Sequence, residues 1–187
     1  MHVTQHPKLP ELLIIEPKHF GDTRGFFFES FQAERYAAQG ISTTFVQDNC
    51  SRSTKGVLRG LHHQKNHTQG KLIYATRGQI FDVAVDIRQD SPTFGQWASV
   101  ILNDQDHHQF YIPPGFAHGF CVLSEEADIF YKCTNYYNPS VELTLRWDDP
   151  DVGIEWPIQN PLISPKDQNG KFLKDIAKSD LPIWKKL

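Results

Sequence analysis

From Thr43 to Trp147 the chain is a succession of short apolar-rich stretches broken by Gly, Pro, Asn and Asp. Stretches of this length and spacing favour β-strands, and many of them in series favour a barrel or sandwich. Strands are expected near residues 43–49, 57–63, 71–77, 79–87, 97–102, 108–112, 117–123, 127–137 and 142–147, with turns such as Arg77-Gly78 and Ser91-Pro92 between them. The expected fold is all-β, a double-sheet jelly roll with short peripheral helices. Leu12–Glu16, stopped by Pro17, is a further strand, and Phe26-Phe27-Phe28 opens another after a loop. Ser30 as N-cap and Gly40 as stop bound one short helix over 31–39. Past Trp147 the texture changes: Pro150, Pro157, Pro161, Pro165 and Pro182 interrupt a tail with little periodicity. One domain over residues 1–187 is expected, with a barrel core over about 43–147 and an irregular tail over about 148–187 wrapped on it. A short helix is expected near Leu173–Lys178.

The length of 187 residues suits one such domain with a sizeable core. A net charge of -3 and a pI near 6.3 argue against a nucleic-acid partner, which calls for a basic patch. No apolar run reaches the roughly 18 residues that span a membrane, and MHVTQHPKLP lacks the pattern of a signal peptide. Cys50, Cys121 and Cys133 form neither a disulfide framework nor a metal knuckle, so a cytoplasmic protein with reduced thiols is expected.

Chemistry concentrates in Gly56–Lys71, GVLRGLHHQKNHTQGK. On a regular strand Arg59 and Leu61 share one face, and Leu58, Gly60 and His62 the other. Gly60 between a guanidinium and an imidazole lets another group approach the backbone closely. Further on, Pro113-Pro114-Gly115-Phe116-Ala117-His118 makes a tight turn that delivers His118 onto the next strand. This P-x-G-x-x-H resembles the second motif of the cupin superfamily, whose histidines often bind metal. The ligands of a first motif are missing, however. His62 is followed by His63 and Gln64, and Thr68, Gln69 and Lys71 stand where a carboxylate belongs. A lysine ammonium repels a divalent cation, so no metal is expected. The Tyr131 phenol suits a neutral acid at pH 7, and an aspartate such as Asp167 can orient a histidine. On its own, Tyr131 is more simply a core aromatic and Asp167 a turn former.

Taken together, the motifs resemble one family, the dTDP-4-dehydrorhamnose 3,5-epimerases. The matching blocks run in order from Phe20-Gly21-Asp22 and Arg24-Gly25-Phe26-Phe27-Phe28-Glu29 through Phe45–Asn49, Val57–His62 and Gln69–Leu72. They continue through Phe81–Arg88, Ser91–Trp97, Pro113–Phe120, Tyr131–Tyr137, Gly153–Pro157 and Ser164–Asp167. The resemblance implies an enzyme that inverts carbons 3 and 5 of dTDP-4-keto-6-deoxyglucose, with no cofactor because the ketone takes up the electrons. It implies His62 as base, Tyr131 as acid, Asp167 as partner of His62 and Lys71 as stabiliser of the enolate. Arg24 and Arg59 would hold the diphosphate, and Gln47 and Asn49 the sugar and phosphate region. Phe26, Phe27 and Glu29 would hold the thymidine, with Tyr137 stacking near it and Glu142 at the base end. His118 would face the sugar, and Lys166 would contact ligand. The resemblance also implies a homodimer in which the N-terminal strand region crosses to the partner, so that Arg24 and Glu29 complete the neighbouring site.

Two departures stand out. His63 replaces an expected Phe and is read as a packing substitute on the face opposite His62. His67, His107 and His108 match no family motif and are read as surface residues. The alternatives are an epimerase acting at a single carbon of another dTDP-4-keto-deoxysugar, and a non-catalytic or metal-dependent cupin.

Overall fold

The computed structural model describes residues 1–184. Its first four strands are β1 (His2–Gln5), β2 (Leu13–Glu16), β3 (His19–Asp22) and β4 (Gly25–Phe28), followed by the helix α1 (Ala33–Ala37). Next come β5 (Gln47–Thr54), β6 (Val57–Gln64), β7 (Lys71–Arg77), β8 (Gln79–Asp86) and β9 (Trp97–Asn103). The series ends with β10 (Gln109–Ile112), β11 (Phe116–Val122), β12 (Glu126–Cys133), β13 (Glu142–Thr144) and β14 (Leu162–Ile163). A short helix α2 (Pro165–Gln168) and two 3-10 turns, Leu173–Asp175 and Lys178–Asp180, lie in the tail.

The strands form the two facing sheets of a jelly roll. One has the order β1-β2-β10-β7-β12-β5, and the other β13-β6-β11-β8-β9 with β14 added parallel to β6. Between them Ile73, Phe110 and Ile129 of the first sheet pack against Ile80, Leu102 and Phe120 of the second. Burial of each such side chain contributes about 1.5–3 kcal/mol. Both outer faces are covered as well. Tyr36 of α1 and Ile41 lie over Ile15, Leu72 and Tyr111. Val152, Leu173, Ile176 and Leu181 of the tail lie over Leu61, Val83, Val85 and Ala117. Every residue of β11 is therefore buried, which is why its sequence shows no alternation of apolar and polar residues and His118 is its one polar side chain.

The expected barrel strands are present, with shifted ends. Apolar Phe45 and Val46 drew the expectation of a strand at 43–49, whereas β5 is the polar run Gln47–Thr54. Its pairing with β12, from Gln47 opposite Cys133 to Thr54 opposite Glu126, defines it. It is an edge strand, so backbone pairing rather than apolar content fixes its position. The helix starts later than Ser30: Gln32 is the N-cap, its side chain accepting from Arg35 N at 2.6 Å. Gly21 and Asp22, read as part of the loop before Phe26, belong instead to β3, which pairs with β4 as a hairpin joined to neither main sheet. Instead of a helix near 173–178, the tail makes the two 3-10 turns.

Candidate active site

The inner wall of the second sheet begins with an irregularity in β6. Phe120 of β11 pairs with Arg59 and His118 with His62, so three steps along β6 oppose two along β11. Such a bulge inverts the side chains that follow it. Arg59 and His62 therefore share the inward face, while Leu61 points out beneath the tail. Regular alternation had put Arg59 and His62 on opposite faces, and the bulge corrects that expectation. Gly60 lies in the bulge with φ 113°, and its peptide bond to Leu61 is cis. A Cβ at Gly60 would lie 2.7 Å from both Gly119 Cα and the His118 carbonyl oxygen, so no larger residue fits.

β14 runs beside the start of β6 and hands the chain to α2. Ser164 caps α2, with Pro165 in its first turn, and this sets Asp167 against the bulge. His62 Nε2 donates to Asp167 Oδ1 at 2.6 Å, and Gly60 N donates to Oδ2 at 3.3 Å. Burial opposes ionisation of Asp167, but the His62 hydrogen bond and charge and the Gly60 N–H outweigh it and hold the carboxyl below its usual range. An ionised Asp167 fixes the proton on Nε2 and leaves Nδ1 as the accepting nitrogen. Arg59, Lys166, His62 and Asp167 border one cavity of about 450 Å³.

Lys71 and Tyr131 rise from the opposite sheet. Lys71 is 7% exposed, and its ammonium makes no ion pair among the described residues. Burial lowers its pKa, opposed by Cys133, Asp82 and Glu142. Tyr131 packs against the inner core, and burial raises its phenol, which keeps it protonated at neutral pH. Asn49 lies directly opposite Tyr131 on β5, and Gln47 hydrogen-bonds Asn49 at 2.9 Å.

His118 faces His62 across the strand pair. Its Nε2 lies 2.9 and 3.0 Å from the two oxygens of Asp82, a residue with no solvent exposure. Burial drives both partners toward neutrality, raising Asp82 and lowering His118. Sequence reasoning gave Asp82 no role. The signal was a carboxylate set in the otherwise apolar run Ile80-Phe81-Asp82-Val83-Ala84-Val85, since a fully buried acid is rare without a partner.

Glu142 sits beside His62, its Oε1 3.9 Å from Nδ1. Its other oxygen accepts from the Tyr137 hydroxyl at 2.7 Å and from Lys166 Nζ. The structure thus gathers Arg59, His62, Glu142, Lys166 and Asp167, with Tyr137 and Gln47 linked to them by hydrogen bonds. It does not bring Arg24, Phe26, Phe27 or Glu29 to this cluster. Arg24 pairs with Asp22 inside the hairpin, Glu29 pairs with Arg35 at 3.2 Å, and Phe26 and Phe27 are 62% and 67% exposed.

His107, read from the sequence as a surface residue, is buried, and so is His63, read as a packing substitute. His107 is stacked on Phe28 at 4.7 Å and packs against Phe26, where it seats the hairpin. His63 is 4% exposed, and neither of its ring nitrogens has a hydrogen-bond partner among the described residues. Burial, helped by the Lys71 charge and offset in part by Asp180, lowers its pKa from 6.5 to about 4. In that window the unfolded chain binds a proton that the folded chain excludes, so stability falls as pH drops from about 6.5 toward about 4. The loss at the foot of the window is on the order of 3 kcal/mol. His63→Phe removes it: the variant melts higher than the parent near about pH 4.5 and within a few degrees of it near about pH 8. Parallel curves of Tm against pH for the two proteins would contradict this.

The family model for dTDP-4-dehydrorhamnose 3,5-epimerase matches residues 6–175. The chain belongs to that family. A Neisseria gonorrhoeae dTDP-4-dehydrorhamnose 3,5-epimerase is 52% identical over 174 residues, 92% of this chain. The chain spans about half the length of that relative, 53%. The crystal structure of a Legionella pneumophila dTDP-6-deoxy-D-glucose-3,5-epimerase, solved with dTDP-4-keto-L-rhamnose, is 53% identical with a TM-score of 0.96. That alignment covers 99% of both chains. A 3'-monoepimerase from Streptomyces bikiniensis, solved with dTDP-quinovose, has a TM-score of 0.89 at 31% identity over 96% of this chain and 92% of that one. The chain is thus similar to proteins named for inversion at two carbons and to one named for inversion at one.

Proposed function

We propose that the chain inverts carbons 3 and 5 of dTDP-4-keto-6-deoxyglucose to give dTDP-4-keto-rhamnose. The observation that carries this reading is the placement of a base and an acid on opposite walls of one barrel. His62 stands on β6 in the second sheet and Tyr131 on β12 in the first. A sugar ring between them meets an accepting nitrogen on one face and a phenol on the other, which inversion requires. The greater identity to the Legionella enzyme than to the monoepimerase favours the double reaction.

At each carbon His62 Nδ1 takes the proton next to the ketone, and the C–H electron pair moves into the ring to form an enolate. The buried Lys71 ammonium stabilises the oxygen that gains charge. Tyr131 then returns a proton to the other face, the enolate collapses to the ketone, and solvent resets both groups. The net change is configuration alone, so electrons balance without a redox partner. His118, held by Asp82, orients the sugar. Arg59 binds the diphosphate, for which a planar guanidinium is suited. Gln47, Asn49, Tyr137 and Lys166 line its approach.

The hairpin supports a homodimer. Phe20, Phe26 and Phe27 are all more than half exposed, and the hairpin pairs with no main sheet. Docked on a second copy, it covers those rings and carries Arg24 and Glu29 to the neighbouring site. Three free cysteines suit a cytoplasmic setting, and among the described residues no helix is long and apolar enough to cross a membrane. The test is incubation of the purified protein with dTDP-4-keto-6-deoxyglucose in metal-stripped buffer, read by proton NMR. Product inverted at both carbons is expected. Inversion at carbon 3 alone overturns the double reaction, and unchanged substrate overturns the reading as a whole.

A further inference from the structure

The contact between Glu142 and His62 creates a problem for the base. Asp167 already holds Nε2, and a second carboxylate lies 3.9 Å from Nδ1. A free carboxylate there favours the imidazolium and keeps the accepting nitrogen loaded with a proton. Glu142 is not free, however: its Oε2 accepts from both Lys166 Nζ and Tyr137 Oη, and its side chain is 9% exposed. Burial works against its charge, but those two hydrogen bonds and the His62 charge hold it ionised. The other groups acting with the imidazole are His118 from β11 and His63 from its own strand, and Lys71 from β7 acts in turn on both of those histidines.

We infer that Lys166 is a positioning residue for the base: by holding the Glu142 carboxylate, it keeps Glu142 from trapping the proton on His62 Nδ1. This rests on the reading of His62 as the proton acceptor, and it gives Lys166 and Glu142 a role beyond ligand contact. The Lys166 ammonium cancels the charge that faces Nδ1 and leaves that nitrogen free to accept a proton from carbon. The pairing is between side chains of α2 and β13, and Asp167 is also carried by α2. One short helix thus supplies both the group that orients the imidazole and the group that protects its free nitrogen.

The test compares the pH dependence of kcat/KM in the parent, Lys166→Met, Glu142→Gln and the double variant. In Lys166→Met the freed carboxylate moves the midpoint of the acidic limb up by about one pH unit. Below both midpoints this is about a tenfold loss relative to the plateau of the same variant. Glu142→Gln and the double variant keep a midpoint at or below that of the parent. Loss of a ligand contact lowers the whole curve or raises KM but leaves the midpoint in place. A titration of the 15N-labelled His62 ring by NMR reads the same midpoint without turnover, so an inactive variant still decides the matter. An unmoved midpoint in Lys166→Met overturns the inference. Equal upward shifts in Lys166→Met and the double variant also overturn it, because the effect then bypasses Glu142. A parent protein with no activity on the dTDP-4-keto sugar at any pH removes the functional reading instead.

Discussion

Replacing His62 with asparagine lowers turnover by about 10²–10⁴-fold or more, the usual cost of losing a general base. The amide nitrogen can still donate to Asp167, which accepts from His62 at 2.6 Å, but it cannot take a proton from carbon. The rest of the cavity is untouched, because Arg59 is held independently by Ser53 at 2.9 Å. Affinity for dTDP, measured by calorimetry, therefore stays within a few-fold of the parent. Folding is preserved as well, since the bulge is set by Gly60 against Gly119 and not by the imidazole. Near-parental turnover in this variant would remove His62 from the chemistry. A loss of turnover matched by a loss of dTDP binding would mean that His62 binds rather than reacts.

Tyr131→Phe separates the two halves of the reaction. The Tyr131 hydroxyl has no hydrogen-bond partner among the described residues, and its ring packs on the inner core. Phenylalanine keeps that packing and loses the acid. Proton removal by His62 continues, and return of the proton from the opposite wall does not. Formation of inverted product falls by about 10²–10⁴-fold, while exchange of the carbon-bound protons with solvent falls much less. Burial raises the Tyr131 phenol, so the parent carries the neutral acid across the neutral range and the difference persists there. Equal loss of exchange and inversion would contradict the division of roles.

The strand series, the jelly roll and the covering tail were legible because turn residues and apolar runs report local geometry directly. The Asp167–His62 contact was legible only through the family resemblance, since 105 residues separate the partners. Four features were not legible, each for a physical reason. The shared face of Arg59 and His62 depends on an extra residue in β6, which periodicity cannot register. The place of Glu142 beside His62 depends on β13 pairing with Gln64, His63 and His62, a register set by tertiary packing. Asp82 was hidden inside an apolar strand, where its pairing with His118 comes from the neighbouring strand. The burial of His107 follows from an element far away in sequence, the aromatic hairpin, which covers a side chain that hydropathy alone leaves at the surface.

The central claim is that protons leave carbons 3 and 5 of the keto sugar through this site, and label exchange tests it most directly. The parent protein is incubated with dTDP-4-keto-6-deoxyglucose in heavy water, and deuterium is located by NMR and mass. The account predicts one deuterium at carbon 3 and one at carbon 5, in product inverted at both. Product in which either carbon keeps its original proton, or substrate recovered without label, would contradict it.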